Sequence, residues 1–186
     1  MANRNTQGFG LVAAGTLGQT PATSGTGKYK IDAGYATTIF HGGAVASSAG
    51  YIIDGQTTDA PILGVLNGIF YNAATTLKPT FANHYVQVTP ANSEDIDAFV
   101  FDNPQQQYVV ATDDSVAQSG YLETYDMNTS SGSDTTGQSD ATLDIGDTSA
   151  DAASFRLLRS AEDPENDENA ARRSVVVCIN LIELQS

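Results

Sequence analysis

From Tyr29 to Asn180 the chain is punctuated: short runs of strand-forming residues alternate with turn residues, and no long amphipathic helical pattern occurs anywhere. The runs are Tyr29–Ile31, Ala44–Ser47, Tyr51–Ile53, Ile62–Tyr71, Tyr85–Thr89, Ala98–Phe101, Tyr108–Ala111, Thr142–Ile145, Phe155–Ser160 and Ser174–Leu184. Ala33-Gly34, His41-Gly42-Gly43, Asp54-Gly55, Asn72, Pro90 and Asn103-Pro104 separate the earlier ones. This spacing predicts an all-β fold, a compact barrel or sandwich, β-tulip-like or jelly-roll-like, preceded by an extended N-terminal arm.

Three runs carry finer expectations. In Tyr85–Thr89, Val86 and Val88 alternate with Gln87 and Thr89, which suits a sheet with one face in water. Gly64 and Gly68 inside Ile62–Tyr71 suggest a bulge or a close backbone approach. Val175-Val176-Val177-Cys178-Ile179 is apolar on both faces and reads as a central, doubly covered strand. Ala111–Ser119 has room for one short helical turn, and Asn128–Asp140 is a low-complexity polar loop.

Residues 1–28 are rich in Gly, Thr, Gln and Ser, with an apolar patch at Phe9, Leu11 and Val12. Such a segment does not fold alone. It reads as an arm that gains order by lying on something else, or as a floppy terminus. Residues 29–186 then form a single β-rich domain, with a change of character near residue 90.

That change is one of charge. Residues 1–90 hold three acids and four bases, a net of +1, whereas residues 91–186 hold the other 19 acids and four bases, a net of −15. This distribution argues against nucleic acid and against anionic membrane as partners, because both demand a clustered cationic surface. A single cysteine, Cys178, forms no intrachain disulfide. The N-terminal residues lack the apolar core of a signal peptide, so the expectation is a soluble product of a cytoplasm.

Gly25-Thr26-Gly27-Lys28 resembles the end of a phosphate loop, but Ala22 and Tyr29 stand where the pattern demands a glycine and a hydroxyl. His41 and His84, the two histidines, read as turn and loop residues rather than as ligands or bases. Asp163, Glu165, Asp167 and Asn169 alternate like calcium ligands without the glycine and the glutamate that a calcium loop requires, leaving at most an adventitious site. No G-x-S-x-G elbow is present, and the abundant acids make no pair diagnostic of a glycosidase. The expectation is no enzyme and no cofactor.

An ordered set of segments carries a family resemblance: Gly8–Leu11, Tyr29–Ile31, Gly34–Val45, Gly64–Tyr71, Tyr85–Pro90, Phe99–Phe101, the T-T-G-Q-S loop leading to Leu143-Asp144, Phe155–Leu158, Pro164–Asn166 and Val175–Asn180. With these the chain resembles the capsid cement, or head decoration, proteins of tailed bacteriophages, particularly marine and cyanobacterial podovirus-like ones. It departs at Gly43 and Phe81, where such proteins often carry an acid and a Trp.

The resemblance implies a virion structural protein, made in the host cytoplasm and bound to the outer surface of the expanded capsid. There it bridges major capsid protein subunits and stabilises the shell against internal DNA pressure. It implies self-association, as a homotrimer in preference to a dimer. It also implies an arm, with Phe9, Leu11, Val12 and Leu17, that lies on the major capsid protein. The competing expectation is a carbohydrate- or receptor-binding head-fibre or tail module; a hydrolase using the acidic cluster is the third.

Overall fold

The computed structural model describes residues 7–18, 25–55, 61–128, 132–146, 154–167, 169–180 and 183–185. Eleven strands lie in these residues: β1 (Val12–Thr16), β2 (Gly27–Ile31), β3 (Ala44–Ser48), β4 (Tyr51–Asp54), β5 (Gly64–Asn72), β6 (Pro79–Ala82), β7 (Ile96–Phe101), β8 (Gln106–Ala111), β9 (Thr124–Tyr125), β10 (Phe155–Ser160) and β11 (Ser174–Ile179). They form two antiparallel sheets. Sheet I has the order β2-β7-β5-β3-β4, with β6 also paired to β5, and sheet II has the order β1-β8-β11-β10-β9. The fold is all-β, as the spacing of apolar runs predicts.

Period-two burial places the cores. In β7, Ile96, Ala98 and Val100 are fully buried on one face while Asp97, Phe99 and Phe101 lie on the other. The first set joins Ile31, Val45, Ile52, Leu66 and Ile69 in a cluster on one face of sheet I. Strands β2 and β4, at opposite ends of the strand order, come into contact, so sheet I curls around this cluster.

A second cluster fills the space between the sheets. Sheet II contributes Tyr108, Val110, Phe155, Leu157, Val175 and Val177, and sheet I contributes Ala44 and Val65 from its opposite face. Strand β11 sits between β8 and β10 and all six of its residues are buried, which is why its sequence is apolar at every position but one.

Gly64 and Gly68 serve the two roles expected of glycines in a strand. A Cβ on Gly64 would lie 2.3 Å from the Phe101 carbonyl oxygen, so only glycine lets β5 approach β7 this closely. The register between β5 and β7 shifts between Leu66 and Gly68.

Several expectations need correction. Tyr85–Thr89 is not a strand: Tyr85 makes one bridge to Ile39, and Val86 is exposed. Thr142–Ile145 is likewise a loop, in which Leu143 bridges both Thr112 and Met127. Ala111 ends β8, and a single 3-10 turn, Gln118–Gly120, is all the helix near it. Strand β11 stops at Ile179 rather than Leu184; Leu181 and Ile182 lie outside the described residues.

The arm is also revised within the described residues. Val12–Thr16 pairs with β8 of its own chain, so this segment gains its order from sheet II and needs no partner for it. Residues 1–6 and 19–24 of the expected arm lie outside the described residues. The chain leaves sheet I at Phe101 and enters sheet II at Gln106, close to the change of charge.

Candidate functional site

Strand β1 is the edge of sheet II, and its position separates the four apolar residues expected to act together. Leu11 is 2% exposed and belongs to the core between the sheets. Its burial contributes about 1.5–3 kcal/mol to folding. Val12 and Leu17 are 46% and 43% exposed. Phe9 is half-buried, and its carbonyl accepts a hydrogen bond from Gln138 Nε2 at 2.6 Å.

The polar loop thus has a structural task that its composition hides. Gln138 of the loop holds Phe9, Gly10 N donates to the carbonyl of Ala141 just after the loop, and Leu11 N donates to the carbonyl of Gly42 in the His41–Gly43 turn, so loop and turn together hold residues 9–11 against the body. Ser133–Thr136 of the same loop are exposed.

One edge of β1 pairs with β8, and among the described residues no strand pairs with the other. Between Ala13 and Gly15 the register shifts, a bulge that raises the local twist of an edge strand. Beside β1 a groove of about 690 Å³ runs over the outer face of sheet II. Val109 and Val176, neighbours across the β8–β11 register, lie in it, with Arg159, Gln107, Glu162 and Asp163 around them. Arg159 donates from both terminal nitrogens to Gln107 Oε1 at 3.3 Å. Half-buried Val109 over buried Val176, a fixed guanidinium and two carboxylates lie beside a strand edge that no strand among the described residues pairs, and this suits an extended polypeptide better than a reacting small molecule.

The other candidates are placed as follows. His41 Nδ1 donates to the Asn67 carbonyl at 2.9 Å; His84 Nδ1 donates to Asn83 Oδ1 at 2.9 Å and its ring stacks on Phe40. The carboxylates of Asp163 and Asp167 accept from the backbone amides of Glu165 and Asn169 and shape their own loop. Glu168 lies outside the described residues. Among the described residues no group of three or more His, Cys, Asp or Glu side chains is arranged to hold a metal ion. Burial in β11 pushes the Cys178 thiol above its ordinary pKa. Lys28, which ends the rejected phosphate-loop pattern, lies in β2 and pairs with Asp97 at 2.7 Å.

Sequence reasoning missed the groove because its residues come from β1, β8, β10, β11 and the loop after β10, which only pairing brings together. It also missed β6 and the exposed Phe81 on it. No helix among the described residues is long and apolar enough to cross a membrane. Comparison with known protein families, with curated proteins and with solved structures finds no match.

Proposed function

We propose that this protein is a capsid decoration protein, one that binds the outer surface of an expanded phage head and bridges major capsid protein subunits. The observation that carries the reading is the split between Leu11 and its neighbours: Leu11 anchors β1 in the core, which presents Val12, Leu17 and an edge that no strand among the described residues pairs, beside the groove. An extended segment of the capsid protein would add to that edge, with backbone hydrogen bonds for affinity and the groove for side-chain selection. Capsid expansion would supply the occupant by exposing such a segment.

The ordered resemblance to cement proteins and the negative charge of residues 91–186 support the same reading. A field of that sign favours a basic or neutral partner surface.

The test is decoration of purified expanded heads that lack this protein. Wild-type protein should appear by electron microscopy at symmetry-related positions, and a Val12→Lys, Leu17→Lys double variant should fold normally yet leave the heads bare. Normal occupancy by the double variant would remove β1 as the contact, and no occupancy by wild type would remove the capsid reading.

A further inference from the structure

Sheet I carries, on the face turned away from its own core, a row of side chains that the proposed capsid contact does not use. The strand registers line up Lys30, Asp97, Phe70 and Phe81 across β2, β7, β5 and β6, with Lys28 opposite Phe99 in the adjoining row. Phe81 is 73% exposed. Its ring centroid lies 4.8 Å from that of Phe70 and 6.2 Å from that of Phe99. Asp97 bridges both lysines, at 2.7 Å to Lys28 and 2.6 Å to Lys30.

The β5–β6 hairpin borders this face and carries its most exposed apolar side chains. Leu77 in its turn is also 73% exposed and has φ of 54°, a conformation that a leucine adopts at a cost. Beside the hairpin lies a hollow of about 350 Å³, lined by Phe70, Pro90, Lys30, Glu94, Asp95 and others. The face therefore holds both exposed apolar side chains and a recess, and its charged rim holds both signs.

The outer edge of β6 is open as well. Ala73 N donates to the Lys78 carbonyl, and Tyr71–Thr80 and Ile69–Ala82 follow in the same register at two-residue steps. The alternation of antiparallel pairs then turns the N–H and C=O of Phe81 away from β5. Among the described residues no strand meets that edge.

We propose that this face is where a second copy of the chain docks, through the same face, about a two-fold axis at β6. Three features select that occupant. Apolar rings surrounded by lysines and carboxylates are self-complementary, because Lys28, Lys30 and Lys78 of one copy meet Glu94 and Asp95 of the other. With Phe81 at the axis, the exposed Leu77 of each copy is the apolar side chain left to fill the other's recess. A chain with a net charge of −14 repels its own copies, and all three of its lysines lie on β2 or the β5–β6 hairpin, so this is the side where self-repulsion is compensated. A face that binds itself closes as a dimer, in contrast to the three-fold ring that the resemblance implies.

The inference does not depend on capsid binding, which uses sheet II, and its test contains no capsid. Sedimentation of the full chain should show a concentration-dependent dimer. Phe81→Asp should weaken it by about tenfold or more, as expected for an aromatic anchor at the centre of a contact. A Phe81→Cys variant reads the symmetry directly: at a two-fold, the new thiols face each other and oxidation yields a disulfide-linked dimer, while Cys178 stays buried. Circular dichroism checks that each variant folds. A wild-type monomer at all concentrations, an oligomer indifferent to Phe81→Asp, or a Phe81-dependent affinity for a glycan shown by a monomer would each overturn the proposal.

Discussion

The Tyr108 hydroxyl donates to the Phe101 carbonyl oxygen at 3.0 Å, tying β8 of sheet II to the last residue of sheet I. Tyr108 is fully buried, and burial pushes its phenol well above the ordinary tyrosine range. Tyr108→Phe removes the donor and leaves a carbonyl without that partner, at a cost of about 1–3 kcal/mol. Thermal unfolding should shift down by about 2–4 °C per kcal/mol, and an unchanged midpoint would deny the bond its role.

Phenol ionisation governs the alkaline limit. Tyr29, by burial and by its hydrogen bond to Asp102, is pushed up to about 12, and burial raises Tyr85 and Tyr125 as well. In the unfolded chain each titrates near 10. The folded state therefore keeps protons that the unfolded state loses. Stability is full below pH of about 10 and falls as pH rises through about 12. Absorbance at alkaline pH should show a set of tyrosines ionising only as the fold is lost; eight phenols titrating together in folded protein would contradict this.

Leu11 and Val12 are adjacent, but one is a core residue and the other a surface residue. Leu11→Ala should destabilise by about 2–5 kcal/mol, whereas Val12→Ala should stay within about 0.5 kcal/mol. Denaturant midpoints of the pair measure the difference, and equal effects would return this segment to the status of a detached arm.

At Gly64 an added Cβ meets the Phe101 carbonyl oxygen and Val100 Cγ1, at 2.3 and 2.7 Å. Gly64→Ala should cost about 1–3 kcal/mol by forcing β5 from β7. Chemical denaturation reads the loss, and a neutral substitution would mean that the two strands separate without penalty.

The Cys178 thiol is buried in β11, and burial raises its pKa. Native protein should resist a thiol-specific reagent that labels the unfolded chain at once. Rapid labelling of folded protein would show that sheet II opens locally.

Much of the fold was legible in the chain itself. Six consecutive β-compatible residues from Ser174, five of them apolar, announced a strand buried on both faces, and that is the place of β11. Val86 shows the limit of the same reasoning: its alternation with Gln87 looks like a half-buried strand, yet within the segment only Tyr85 makes a bridge, to Ile39. Alternation is necessary for a sheet face but says nothing about whether a neighbour is present to pair. Strand β6 is the opposite case: it is not among the expected strands, and it opens on Pro79, which an edge strand tolerates at its first position.

By itself, then, the sequence determined the all-β class, the glycines of β5, the central strand and the uneven charge, since each depends on local conformational preference or on composition. Only the tertiary structure decided that Leu11 is core while Val12 and Leu17 are surface. It alone placed Lys30, Asp97, Phe70 and Phe81 in one row, and it alone built a groove from β1, β8, β10 and β11. These depend on pairings between residues far apart in the chain, and register between distant strands is set by the packing of whole faces rather than by any short stretch of residues.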